Sequence, residues 1–296
     1  MKITQVRLNA AAKINLTLDI TGLRQDGYHT LESVMQTVSL YDTVILKAND
    51  TKKIQLSLSG APFIPNDSRN TCYKAAQLYF EACGREVPGV EIRVIKTIPS
   101  SAGLGGGSAD AAAVLRGLEY IYGKCPVDIF EIAAKIGADV PFCLAGGTRL
   151  CRGIGEIMTP ININNALRRT LHLVIAKNAR GLSTPFMFSQ YDNAAVPAEK
   201  PNVNRLLSAL QEGNVREIAN SVCNVFQPIA IAERPEIAEL IGRIKGFGAL
   251  NAVMTGSGTA VYGIFEGFQA ARRCVHALKK DGIFAEYARF ITPHGV

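Results

Sequence analysis

The chain of 296 residues predicts an α+β fold in two units, and three observations carry that reading. The opening sixty residues alternate like strands. A glycine-rich stretch at 103–107 runs into an alanine-rich segment. Beyond a polar stretch at 162–169, patterns of helical and strand period alternate to the end.

Residues 3–20 and 33–60 are rich in β-formers, as in Val44-Ile45-Leu46 and Ile54-Gln55-Leu56-Ser57-Leu58, and read as a β-rich unit. From Thr71 to Cys83 the apolar positions Cys72, Ala75, Ala76, Leu78, Tyr79 and Ala82 form a helical stripe that stops at Gly84. A strand over Val90–Lys96 leads into the glycines, and Ser108 opens a helix running to Tyr122. Pro126–Ile136 reads as helix, ended by the turn Gly137-Ala138-Asp139-Val140-Pro141, and Gly146-Gly147 starts a hairpin. A domain boundary is expected near 165, dividing the chain into 1–165 and 166–296. The second half places strands at His172–Lys177, Leu250–Met254 and Thr259–Phe265. Its helices fall at Asn202–Gln211, Val215–Val222, Pro235–Lys245 and Gly267–Lys280.

A hydrophobic content of 48% with 19% charged residues describes an ordinary globular chain. The net charge of +7 comes from scattered singles and pairs such as Arg168-Arg169 rather than a basic tract. That spread suits attraction of small anions more than a nucleic-acid groove. Aromatics at 7% with no tryptophan, and no arginine-glycine tract, also argue against RNA binding. The seven cysteines are odd in number and contain no C-x-x-C, which fits a reducing, cytoplasmic setting. The N-terminal residues alternate like a strand and show no secretory pattern, and no run is long enough to span a membrane.

Pro99-Ser100-Ser101-Ala102-Gly103-Leu104-Gly105-Gly106-Gly107-Ser108-Ala109-Asp110 is the most informative stretch. Its glycines allow positive φ and close approach of a ligand to the main chain. The helix that follows offers unpartnered N–H groups and a partial positive charge to an anion. A turn that merely caps a helix is the plainer alternative. Walker A is absent, since Gly123-Lys124 continues into Cys125, and G-x-G-x-x-G fails because Ser108 stands where its last glycine belongs.

Phosphate binding raises the question of what activates a nucleophile. Lys13 is a lone cation in an apolar strand, and Asp139 a lone acid at an element boundary. Either alone is more often a structural pair or a cap, and the sequence by itself does not show that the two meet. Asp26-Gly27-Tyr28-His29 reads either as a hairpin turn or as a place for a base to stack. Met254-Thr255-Gly256-Ser257-Gly258-Thr259 is a second glycine turn, either covering a phosphate or closing a hairpin. No G-x-S-x-G occurs, and the four histidines, His29, His172, His276 and His294, lack metal spacing.

Taken together, the early lysine strand, the stretch 99–110 and Gly256-Ser257-Gly258 resemble the three motifs of the galactokinase, homoserine, mevalonate and phosphomevalonate kinase superfamily, the GHMP kinases. The likeness extends over nearly the whole chain. It is sharpest at Ala12-Lys13-Ile14-Asn15-Leu16, at Gly22-x-Arg24-x-Asp26-Gly27-Tyr28-His29 and at Gly137-Ala138-Asp139-Val140-Pro141-Phe142, segments resembling a branch whose substrate carries a cytidine diphosphate group.

The resemblance implies a two-domain GHMP kinase fold, with an N-terminal ribosomal-protein-S5-like unit and a C-terminal α/β sandwich. It implies phosphorylation of an alcohol from ATP with Mg2+, in the non-mevalonate route to isoprenoid precursors. Asp139 would be the catalytic base and Lys13 its electrostatic partner, with Asn15 orienting. Tyr28 and Phe188 would face the cytosine, His29 would bond its edge, and Thr184 would meet the polar part of the substrate. The ATP phosphates would lie along 99–109, with Asn70 near the adenine and Ser108 as metal ligand. No nucleic acid or membrane partner follows, and a monomer or weak homodimer is expected. The chain departs from the family pattern at Thr71, where an apolar residue is usual, and at Ser100-Ser101-Ala102, where the lead-in is usually richer in glycine.

Overall fold

The computed structural model describes residues 3–61, 63–193 and 199–292; of the candidate residues above, His294 lies outside them. The chain divides into two compact units. One is built from residues up to Ala12, Tyr41–Ser100 and Gly105–Ala145; the other takes Lys13–Leu40, Ser101–Leu104 and the chain from Gly146 on.

The first unit takes the start of β1 (Gln5–Leu23), the end of β2 (His29–Ala48), β3 (Ile54–Ser59), α1 (Thr71–Ala82), β4 (Val90–Ile95), α2 (Gly106–Tyr122), α3 (Ile129–Ile136) and α4 (Val140–Ala145). Thr43–Ala48 of β2 run antiparallel to β4, and β3 runs parallel to it with Ile54 opposite Val90. Val90, Ile92 and Val94 are buried while Glu91 and Arg93 are exposed, so β4 turns one face to the helices. Val44, Leu46, Ile92, Val94, Tyr79, Phe80, Leu115 and Leu118 share the core. In the alanine-rich segment Ala111, Ala112 and Ala113 are all buried. The helix begins at Gly106 rather than Ser108, because Gly105, at φ 68°, takes the left-handed cap position.

The second unit holds the rest of β1 and β2, with Leu31–Gln36 pairing antiparallel to β5 (Thr148–Gly153). The predicted hairpin follows, from β5 into β6 (Ile157–Pro160). The polar stretch 162–169 at the expected boundary is not wholly irregular, since α5 (Leu167–Thr170) starts within it. Then come β7 (His172–Lys177), α6 (Thr184–Asp192), α7 (Val203–Glu212), α8 (Val215–Ser221), β8 (Cys223–Asn224) and α9 (Gln227–Glu233). α10 (Glu236–Gly246), β9 (Asn251–Met254), β10 (Val261–Phe265), α11 (Phe268–Lys280) and β11 (Phe284–Ala288) complete it. Strands β11, β7, β10 and β9 form an antiparallel sheet in that order. Ile237, Leu240 and Ile244 of α10 and Ala271, Cys274 and Leu278 of α11 share a core with Val174, Ala176, Val261 and Phe265 of that sheet. Tyr262, also buried, donates its hydroxyl to the Asn15 carbonyl at 3.1 Å, tying the sheet to β1.

Candidate active site

In the second unit, Lys13 and Asn15 lie on β1 with exposures of only 4% and 1%. The Lys13 ammonium donates to Asn15 Oδ1 at 2.7 Å, and Asn15 Nδ2 donates to Ser33 Oγ at 2.8 Å. Ser33 in turn donates to the Thr17 carbonyl at 2.6 Å. A buried polar chain of this kind orients the amide, because each donor has an acceptor. The backbone N–H of Lys13 donates to the Leu104 carbonyl at 3.0 Å, joining the lysine strand to the glycine stretch.

The second glycine turn joins β9 to β10 as a hairpin and also packs against the first. Thr255 Oγ1 accepts the Asn15 N–H at 2.9 Å, and the Ala260 N–H donates to the Ala102 carbonyl at 3.1 Å. Asn224, buried, donates from one amide nitrogen to the carbonyls of Met254 and Gly256 at 2.8 and 2.9 Å and so holds the turn from below. Thr184 and Ser257 share a hydroxyl hydrogen bond of 3.1 Å. Thus Lys13, Asn15, Gly103, Leu104, Thr184 and the 254–259 turn converge in this unit.

His29 and Phe188 also meet there: their rings stack with centroids 4.8 Å apart and planes at 18°. The imidazole Nε2 lies 2.7 Å from Asp192 Oδ1 at the end of α6. One face of Phe188 is therefore covered by His29. Tyr28 stands 63% exposed in the turn between β1 and β2.

In the first unit, α2 starts from the glycines with its first N–H groups free of side-chain caps. Thr71, the departure from the family pattern, donates its hydroxyl to the Gly107 carbonyl at 2.9 Å and binds the start of α1 to this corner. Asn70 caps α1: its Oδ1 accepts the Cys72 N–H at 2.8 Å and its Nδ2 donates to the Pro65 carbonyl at 2.7 Å. Asp139 is half-buried directly before α4, and its carbonyl accepts the Cys143 N–H at 3.0 Å.

Sequence reasoning missed a buried charge cluster beneath the glycines. Lys96 donates to Asp110 Oδ2 at 2.6 Å and also to Asp42 Oδ2. These side chains are 4%, 4% and 0% exposed. Asp42 Oδ1 accepts the N–H groups of Thr97 and Ile98 at 2.5 and 2.8 Å, which sets the direction of the chain entering the loop. Burial opposes the charge on Lys96, but the two carboxylates outweigh it and hold its pKa above the ordinary value. Burial pushes Asp110 up to about 7, against the pull of Lys96 and with repulsion from Asp42. Among the described residues, Asp110 Oδ1 has no hydrogen-bond partner. A Cβ on Gly106 would sit 3.4 Å from Lys96 Nζ, so the cluster lies directly under the loop.

Among the described residues, no three His, Cys, Asp or Glu side chains converge as a metal cage, and no helix is long and apolar enough to cross a membrane.

Two family models match the chain: GHMP kinases N terminal domain over residues 70–147, and GHMP kinases C terminal over residues 190–283. The chain is 42% identical over 274 residues to a 4-diphosphocytidyl-2-C-methyl-D-erythritol kinase of Caldicellulosiruptor saccharolyticus, covering 92% of each. It resembles the crystal structure of a 4-(cytidine 5'-diphospho)-2C-methyl-D-erythritol kinase with a TM-score of 0.79 and 33% identity, over 96% of this chain and 99% of that one. A homoserine kinase from Cytophaga hutchinsonii shares the fold, with a TM-score of 0.76 at 20% identity over 99% and 96% of the two chains. The α+β architecture expected from the sequence is thus the GHMP kinase fold. The chain belongs to the GHMP kinases, which are ATP-dependent phosphotransferases, and within them to the 4-diphosphocytidyl-2-C-methyl-D-erythritol kinase family.

Proposed function

We propose that this chain transfers the γ-phosphoryl group of ATP to the 2-hydroxyl of 4-diphosphocytidyl-2-C-methyl-D-erythritol, in the non-mevalonate route to isoprenoid precursors. Likeness over about nine-tenths of the chain to kinases of that name supports the substrate. The observation that carries the chemistry is the bond from the Lys13 backbone N–H to the Leu104 carbonyl, which roots the strand bearing this buried lysine beside the glycine stretch.

In this reading the amides of 99–109 and the N-terminus of α2 take the triphosphate. Asp139 accepts the proton of the substrate hydroxyl, and Lys13 keeps that carboxylate ionised and offsets the charge that develops. The hydroxyl oxygen then attacks the γ-phosphorus in line, the bond to the β-γ bridging oxygen breaks, and ADP leaves. Asn15, held by Lys13 and Ser33, orients the acceptor. Tyr28, His29, Phe188 and Thr184 receive the cytidine diphosphate end. Asn70 borders the adenine by the face of its amide, since its polar atoms are occupied in capping.

Mg2+ bound with the nucleotide would supply charge neutralisation for the phosphates. The residues fit that arrangement: half-exposed Ser108, in the first turn of α2, offers one hydroxyl, and Mg2+ retains waters and phosphate oxygens rather than demanding a protein cage. The division into domains 1–165 and 166–296, supported by family matches on either side of it, belongs to the same proposal, as do a monomer or weak homodimer and a cytoplasmic location.

Incubating the protein with ATP, Mg2+ and a panel of cytidine-linked and free polyols, followed by mass spectrometry, tests the reading. One phosphoryl group should appear on the cytidine-linked methylerythritol. Its appearance on mevalonate, homoserine or a sugar instead would overturn the substrate assignment.

A further inference from the structure

A cavity of about 730 Å3 opens in the second unit between α11 and the sheet edge at β7 and β11, among residues the proposed reaction does not use. Its apolar side is aromatic. Phe268 and Tyr287 meet edge to face at 5.2 Å, and the His172 ring lies 5.9 Å from each. His172 Nδ1 is 2.8 Å from the Tyr287 hydroxyl, which fixes both rings. Burial, and then Arg289, depress the His172 pKa, so this imidazole presents a neutral ring at pH 7.

The rim is cationic. Arg272 sits 5.7 Å above the centroid of Phe268, a ring that is 39% exposed. Lys279 and Glu286 neutralise one another at 2.5 Å. Among the described residues, neither Arg272 nor Arg289 forms an ion pair, which leaves two uncompensated guanidinium groups beside a wall of three rings.

We propose that this cavity binds a nucleoside monophosphate, with the base against Phe268 and Tyr287 and the phosphate between Arg272 and Arg289. Guanidinium forks match phosphate oxygens in pairs, and flat rings favour a flat partner. The volume falls within the range of about 300–1,000 Å3 typical of small-molecule sites. A bare anion would leave the rings unused, and a neutral aromatic would leave both arginines unpaired. A nucleotide satisfies both halves.

Histidine-ring NMR of the full chain, titrated with AMP, CMP and inorganic phosphate, tests the site. His172 and His276 line the cavity, whereas His29 lies against Phe188, so the resonances report location. AMP or CMP should shift His172 and His276, and inorganic phosphate should bind about tenfold more weakly. The double variant Arg272→Gln/Arg289→Gln should weaken nucleotide binding about tenfold, and Phe268→Ala severalfold, with the His29 resonance of each ligand-free variant at its wild-type position marking an intact fold. Unmoved His172 and His276 at millimolar nucleotide would overturn the proposal. So would phosphate binding as tightly as nucleotide, or unchanged affinity in the double variant. The readout involves no phosphoryl transfer and stands apart from the proposed activity.

Discussion

Gly103 and Thr255 touch so closely that a Cβ at position 103 would come 2.0 Å from the Thr255 carbonyl oxygen. Gly103 also holds φ at +74°, and a Cβ on Gly256 would sit 2.9 Å from the Gly103 Cα. The two glycine turns are therefore a packed pair, and this contact requires glycine on both sides. Gly103→Ala should lower stability by about 3 kcal/mol or more, from left-handed strain plus overpacking. Urea unfolding measures it; a midpoint equal to wild type would refute the packing argument.

Asp139→Asn should lower kcat by about 100- to 10,000-fold while leaving the KM for ATP near wild type, as removal of a general base requires. Steady-state rates near wild type would strip Asp139 of the role of base. Lys13→Met keeps the apolar stem but leaves Asn15 Oδ1 without its ammonium donor, so kcat should also fall, with a stability loss of about 1–3 kcal/mol.

Cytosine recognition is testable without the full substrate. CDP should inhibit better than UDP by about 100-fold or more, because a site built to bond one base edge leaves its own groups unpaired against another. Phe188→Ala removes the ring stacked on His29 and should reduce that preference. Equal inhibition by CDP and UDP in wild type would point to another substrate.

The buried cluster makes a pH prediction. The Asp110 pKa is raised from 3.8 to about 7 on folding, chiefly by burial, so the folded chain keeps a proton the unfolded chain releases. Its contribution is full below the unfolded value and is lost as pH rises through about 7. Asp110→Asn does not titrate and should flatten the decline in unfolding free energy between pH 4 and 7, measured by urea titration at several pH values. An unchanged slope in the variant would contradict this assignment.

Much of the fold was legible because it is written in local periodicity. The stripe of Cys72, Ala75, Ala76 and Tyr79 became the buried side of α1, and the strand at His172–Lys177 has the bounds its pattern predicts. Four helices escaped: α4 and α5, six and four residues long, lie where the sequence reads as a turn and a polar boundary, and α6 and α9 were not expected either. In α6 the run Thr184–Asp192 interleaves Phe186, Met187 and Phe188 with no clear stripe, and α9 is seven residues long; Pro185 and Pro228 near their starts were the available signals. The Lys96 cluster joins residues 54 and 14 positions apart, a spacing no local motif marks.

By itself the sequence determined the glycine stretch, the lone Lys13, the order of most helices and strands, and through them the family, since chain stereochemistry and apolar period act over a few residues. Only the tertiary structure decided that Lys13 bonds Leu104, that Gly103 lies against Thr255, and that Asp42 and Asp110 share one ammonium. Those relationships arise from burial, which raises the cost of an unpaired charge or a misplaced Cβ between residues far apart in the chain.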